Sequence, residues 1–209
     1  MRVDSAATPF VLGAVAAAAL PVAFGHPRWA LPGLLAAVVF LCFFRDPERT
    51  IQAHDSAAIL SPADGRVLVV GAAAPDVAPP GVWQQISIFL SPLDVHVNRV
   101  PTTGRVARIA LQRGRFLPAY RAEAATQNER SEIWVDSGGR MVVFRQIVGF
   151  LARRVVCRLS EGQNVRAGDR FGIMKFGSRM DVFVPPDARL DVSVGDRVRG
   201  GETVLARFG

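Results

Sequence analysis

The chain has 209 residues, half of them apolar, which suits one sizeable core domain with an appendage. Its formal charge is +7, carried by arginines and a single lysine, Lys175, so an anionic partner is expected. The arginines come without helix-turn-helix, zinc-finger or aromatic RNA-binding patterns, which argues against nucleic acid and leaves an anionic lipid surface. Neither cysteine, Cys42 or Cys157, has a second Cys or a His at ligand spacing, so no metal site and no disulfide framework is expected.

Residues 9–24 and 29–44 are two nearly uncharged runs, separated by the turn Gly25-His26-Pro27-Arg28. A spanning helix needs about 20 apolar residues. The first run reaches that length from Ser5 and the second stays short, so two short spans and a shallow hairpin both fit. A signal peptide is the competing reading, and the second run after a tight turn argues against it. A hairpin returns the chain to its starting side, where Arg2, Arg45 and Arg49 form a basic flank. Such a flank is expected on the cytoplasmic side. Residues 1–50 are therefore read as a membrane-anchoring helical hairpin with an interfacial segment. Residues 51–209 are read as a domain on the cytoplasmic face of the cell membrane.

In that domain Ser61-Pro62-Ala63-Asp64-Gly65 is a turn feeding a strand over 66–70. Another strand, 83–90, runs into the loop Ser91 to Pro101. There His96 shares a strand face with Asp94 and Asn98. His26 lies in the apolar hairpin turn and His54 in a polar linker, so His96 is the best-placed general base. A strand over 104–111 precedes a segment rich in arginine, with Arg113, Arg115 and Arg121, then a loop or helical turn ending in Asn128-Glu129-Arg130. That segment is either a solvated charged surface or a pocket for an anionic head group. Residues 133–135 and 140–148, split by Asp136-Ser137-Gly138-Gly139, read as a hairpin. Residues 150–159 are strand-like, with Arg153-Arg154 at the middle.

The last third contains an echo: Val165 to Arg170 recurs as Val192 to Arg197, each a Gly-Asp turn leading into a short strand. Between them Gly177-Ser178 reads as a hairpin turn. A lone Gly-Ser pair is most often only that. Here strand-like runs flank it, and a His-bearing and an Asp-bearing loop lie upstream, the pattern of a self-processing serine. The fold expected is mainly β. It is a compact β-hairpin or barrel-sandwich-like domain with a biotinyl/lipoyl-carrier-like pattern, preceded by the N-terminal membrane helical hairpin. Carrier domains are modified at a Met-Lys pair on an exposed hairpin. A membrane-tethered carrier modified at Lys175, beside Met174, is therefore the alternative reading.

Six stretches, FFRDPER (43–49), SPADG (61–65), SPLDVHVNRVP (91–101), GRFLPAYRAEAATQNER (114–130), ARRVVC (152–157) and FGS (176–178), follow one another in the order of a known family. By them the chain resembles the phosphatidylserine decarboxylase proenzymes of the short bacterial and archaeal type. The resemblance implies self-cleavage between Gly177 and Ser178 into a β chain of 1–177 and an α chain of 178–209. These would remain together as a heterodimer, open to further dimerisation. It implies a pyruvoyl group derived from Ser178, which forms a Schiff base with phosphatidylserine and decarboxylates it to phosphatidylethanolamine in phospholipid biosynthesis. His96 is implied as acid and base, with Asp64 as its orienting carboxylate. The segment with Arg113, Arg115, Arg121, Asn128 and Arg130 is implied as the phosphate site, and no metal is implied. One departure stands out: longer bacterial members have two histidines spaced three apart in the His loop, whereas this chain has His96 and Arg99.

Overall fold

The computed structural model describes residues 2–51, 55–150, 155–175 and 178–209. Four of the sequence expectations fall on positions outside these: His54 in its linker, the Arg153-Arg154 pair, and Phe176 and Gly177 of the FGS motif. The chain divides into two compact units, Met1–Glu48 and Arg49–Gly209.

In the first unit the two uncharged runs form helices α1 (Thr8–Ala23) and α2 (Leu31–Phe43). Each carries a proline in its first turn, where the missing N–H has no intrahelical partner to lose. Small residues, Ala14, Ala18, Gly33 and Ala37, are buried along the two helices and allow close backbone approach. A two-residue antiparallel pair, β1 (Arg2–Val3) with β2 (Arg45–Asp46), joins the start of the hairpin to its end.

The second unit is mainly β. In chain order it contains β3 (Ala58–Leu60), β4 (Gly65–Ala72), β5 (Gln84–Leu90), β6 (Val97–Arg99) and β7 (Gly104–Gln112). A short helix α3 (Ala124–Gln127) precedes β8 (Arg130–Ser137) and β9 (Arg140–Ile147). Then come β10 (Val155–Cys157), β11 (Asn164–Val165), β12 (Arg170–Met174), β13 (Ser178–Val184), β14 (Arg189–Leu190), β15 (Arg197–Val198) and β16 (Val204–Arg207). An eight-stranded antiparallel sheet in the order β11-β7-β8-β9-β13-β5-β4-β15 curls as a half-barrel. Register shifts at Val67/Val69 and Val106/Arg108 supply local bends, since an extra residue on one strand increases its twist. Two three-stranded sheets, β10-β12-β6 and β14-β16-β3, complete the unit.

The β8–β9 hairpin is the one expected, closed by Gly138 and Gly139 at φ 65° and 85°, the left-handed values a tight two-residue turn requires. The echo is also present in three dimensions. Asp169 accepts from the backbone N–H of Arg166, and Asp196 from that of Ser193, both at 2.8 Å.

The Gly177-Ser178 hairpin is corrected. Strand β12 pairs with β10 and β6, whereas β13 pairs with β9 and β5, so the two strands do not pair with each other and belong to different sheets. The physical reason is burial: every residue of β13 is buried, and only a central position in the large sheet covers both of its faces. The exposed Met-Lys hairpin is corrected with it. Met174 is fully buried in the core and Lys175 is half-buried.

Candidate active site

Alternation sorts β13 into two faces. Met180, Val182 and Val184 join Ile86, Ile88, Leu90, Val142, Phe144, Ile133 and Val135 in the core. Arg179, Asp181 and Phe183 face the other way. Ser178 belongs to the core face by the same alternation. It stands opposite Leu90 on β5.

At this end the apolar face gives way to a polar row. Gln146 lies opposite Met180 on one side and Ser131 on the other, and the Ser131 hydroxyl hydrogen-bonds the Cys157 thiol. The Gln146 Nε2 donates to Asn98 Oδ1 at 2.8 Å and reaches the Val156 carbonyl at 3.4 Å. Gly172 makes this approach possible, because a Cβ there would lie 2.1 Å from the Val156 oxygen and 3.0 Å from Gln146 Nε2. Among the described residues, three buried side-chain polar atoms have no hydrogen-bond partner: Ser178 Oγ, Asn98 Nδ2 and Gln146 Oε1. All three residues are fully buried. A core normally satisfies such atoms; Ser178 and Gln146 lie toward one end of the large sheet, and Asn98, on β6 of the β10-β12-β6 sheet, is bonded to Gln146, so together they mark a candidate site.

His96 is fully buried and immediately precedes β6. Its backbone carbonyl accepts from Met174 N–H at 3.2 Å, which ties it to the end of β12, four residues before Ser178. Its Nδ1 is 2.9 Å from the Asp94 carbonyl. A carbonyl only accepts, so Nδ1 carries a proton, and a ring holding only that proton has Nε2 as its basic nitrogen.

Asp64 sits in the turn between β3 and β4. One of its oxygens accepts from Arg49 at 2.7 Å and the other from the Gly200 N–H at 2.8 Å. The same turn presents the Pro62 carbonyl to the Arg99 N–H at 2.8 Å, and so fixes the far end of β6. Arg99 is buried and donates to the Gly168 carbonyl at 3.1 Å.

The arginine-rich segment divides into two kinds of residue. Arg113, Arg115 and Arg121 are exposed. Asn128 is buried, with its amide bonded to both backbone groups of Leu117 and to the Val148 carbonyl. Arg130 is half-buried and donates to the Ala125 and Thr126 carbonyls. Burial holds its guanidinium below the usual arginine range, with Arg145 adding to the effect.

Sequence reading passed over Gln146 altogether and treated Asn98 only as a neighbour of His96. The signal available for Gln146 was a polar residue on the apolar phase of a strand, RMVVFRQIV, where alternation calls for a hydrophobe.

Comparison with known proteins bears on the same residues. The family model described as phosphatidylserine decarboxylase matches residues 36–206. A phosphatidylserine decarboxylase proenzyme of Pelodictyon phaeoclathratiforme is 44% identical over 200 residues, covering 93% of this chain and 92% of the relative. One of Solibacter usitatus is 41% identical over 207 residues, covering 99% and 97%. One of Salinibacter ruber is 46% identical over 186 residues, covering 86% and 82%. With a model match over most of its length and relatives this similar from end to end, the chain belongs to the phosphatidylserine decarboxylase family.

Proposed function

We propose that this chain decarboxylates phosphatidylserine to phosphatidylethanolamine, using a pyruvoyl group made from Ser178 when the Gly177–Ser178 bond is cut. The observation that carries the reading is the Ser178 hydroxyl, fully buried and without a partner at the first position of a central strand. A buried hydroxyl lacking a hydrogen bond costs on the order of 1–3 kcal/mol, so packing alone does not account for a serine there. On the same face of the sheet, Gln146 and Ser131 are neutral hydrogen-bonding side chains, which suits a small polar group.

In maturation the Ser178 Oγ adds to the Gly177 carbonyl carbon as His96 Nε2 takes its proton, and the peptide C–N bond breaks to leave an ester and a free amine. Loss of the Ser178 α-proton expels the Gly177 carboxylate from Cβ. The resulting enamine tautomerises and hydrolyses, releasing ammonia and leaving the ketone. The β chain (1–177) and α chain (178–209) stay joined because β13 pairs with β5 and β9 on its two sides. Once formed, the group supplies a ketone that condenses with the substrate amine and so an electron sink for the departing carboxylate.

The remaining work belongs to side chains. His96, held by the Asp94 carbonyl, returns a proton to the substrate carbon after carbon dioxide leaves. Asp64 acts on the His loop through its turn, pinning it between Arg49, Gly200 and the Pro62–Arg99 bond. Arg113, Arg115 and Arg121 bind the lipid phosphate, with Asn128 and Arg130 holding their segment in place.

A bilayer lipid as substrate agrees with two features. Ser5–Ala23 is long and apolar enough to cross a membrane and the segment Pro27–Phe43 is shorter. Leu12, Leu20, Phe24, Leu35 and Val39 expose most of their surface, which suits helices immersed in lipid. The hairpin thus anchors residues 1–50, and Arg2, Arg45 and Arg49 set the catalytic domain on the cytoplasmic side.

The test is the chain itself. Ser178→Ala leaves one intact polypeptide without decarboxylase activity, whereas the wild type yields two fragments, and borohydride with the lipid present adds lipid mass to the smaller. Wild-type protein recovered whole from its native source, with Ser178 unmodified, overturns the reading.

A further inference from the structure

The orphaned amide atoms of Asn98 and Gln146 have no part in the mechanism above. Asn98 and Gln146 share one bond, which leaves one N–H donor and one carbonyl acceptor unsatisfied, both fully buried. The Val156 carbonyl, 3.4 Å from Gln146 Nε2, fixes which end of that amide is the nitrogen. Burying such a pair unsatisfied is unfavourable, and the cost is recovered if a ligand supplies the complementary pair.

We infer that Asn98 and Gln146 read the serine head group: Asn98 Nδ2 donates to its carboxylate, and Gln146 Oε1 accepts from its amino group. An α-amino acid carries an acceptor, the carboxylate, and a donor, the amine, on one carbon, and so offers one partner to each member of this pair. Register supports the placement. Gln146 stands opposite Met180, two residues along the same strand face from Ser178, which is within reach of a small head group.

The choice of neutral amides has a chemical consequence. Decarboxylation removes the carboxylate charge, so a guanidinium at that spot stabilises the ground state more than the transition state and slows the step. A neutral N–H orients the carboxylate with less of that penalty. The arginine nearest in sequence, Arg99, is buried and donates to the Gly168 carbonyl. The product has lost the carboxylate and keeps the amine. Asn98 therefore distinguishes substrate from product, whereas Gln146 holds both.

This inference rests on residue 178 being the reacting group, and the experiment separates the two claims. Full-length Asn98→Asp and Gln146→Met, both close in volume to the native side chains, are first checked on a denaturing gel for the two fragments. Phosphatidylserine turnover and competitive inhibition by phosphatidylethanolamine are then measured. Asn98→Asp lowers kcat/KM for phosphatidylserine about 100-fold, the loss of a charge-assisted hydrogen bond plus like-charge repulsion, and leaves the inhibition constant of phosphatidylethanolamine within about twofold. Gln146→Met weakens both lipids. A purely structural role would weaken both lipids alike in both variants, and that result, or no change in either, overturns the inference. If a variant does not mature, the borohydride-reduced wild type with 15N-labelled asparagine replaces it. The Asn98 side-chain amide must then respond to short-chain phosphatidylserine and not to short-chain phosphatidylethanolamine, and an indifferent resonance overturns the inference. A wild type that never cleaves defeats the reading of residue 178 instead.

Discussion

Cys157 borders the polar row as a thiol and not as a charge. Burial raises it above the ordinary value of 9.0, against smaller lowering contributions from the Leu159 backbone and the Ser131 hydroxyl. The folded state therefore keeps its proton at pH values where the unfolded chain has lost it. Stability on this account is constant below 9.0 and falls as pH rises through that value toward the higher folded one. Urea unfolding of wild type and Cys157→Ala between pH 8 and pH 10 checks the sign, with the added alkaline loss present only in the wild type. Asn128 teaches the complementary lesson about single residues. Its place in an arginine-rich run made it a candidate ligand for phosphate, yet its three bonds go to Leu117 and Val148, backbone partners that no spacing rule could have named.

Strand β13, which begins at the proposed reacting residue Ser178, is central to the large sheet. Its outer face carries a row of polar and charged side chains in register across four strands: Glu132 on β8, Arg145 on β9, Asp181 on β13 and Ser87 on β5. Arg179 donates to Asp181 through Nε at 2.6 Å and to Ser87 at 2.9 Å, and Arg145 lies over the Phe183 ring at 4.7 Å. Asp181 is fully buried and Arg179 nearly so. Removing one partner of such a pair strands the other charge, which costs about 3–5 kcal/mol, whereas replacing both with apolar residues is often neutral. Asp181→Ala should therefore lower the melting temperature sharply, and Arg179→Met with Asp181→Leu should restore most of it. A double variant as unstable as the single would place the loss in packing and not in the stranded arginine. The sequence SRMDVFV showed alternation but not that its polar face is buried, because the residues that satisfy it, Gln85 and Ser87, arrive from the distant strand β5. For the same reason the pair Gly177-Ser178 looked like a hairpin, when its flanking strands belong to different sheets.

At the scale of the molecule, local signals were legible and assembly was not. The β8–β9 turn, the repeated Gly-Asp turns and the two apolar helices follow from residue types within a few positions of one another. The order of the eight-stranded sheet and the meeting of Asn98 with Gln146 depend on pairings between distant segments, as register is fixed by faces that a single strand does not display. Under the proposed function, a lipid must reach the buried Ser178. Pairing of Ser178 with Leu90, Arg179 with Ile147, Ile147 with Arg130 and Arg130 with Gln112 puts the start of β13 at the sheet end from which the following loops emerge. Those loops and strand ends carry Leu93, Leu111, Tyr120 and Phe150, exposed by 83%, 68%, 62% and 68%, together with the exposed Arg113, Arg115 and Arg121. Among the described residues, the other large apolar side chains exposed on this unit are the smaller valines Val69, Val82 and Val194. Apolar tips among arginines suit shallow insertion into an anionic surface, where each cation adds about 1 kcal/mol. In full-length protein, the emission of Leu93→Trp, taken as the difference from wild type, should shift to shorter wavelength on phosphatidylglycerol vesicles and be quenched by brominated acyl chains. Leu93→Asp should lose turnover of vesicle phosphatidylserine while keeping that of a monomeric short-chain analogue. An indole at position 93 that stays water-exposed on vesicles the enzyme is actively decarboxylating would mean that the lipid reaches Ser178 by another side of the sheet.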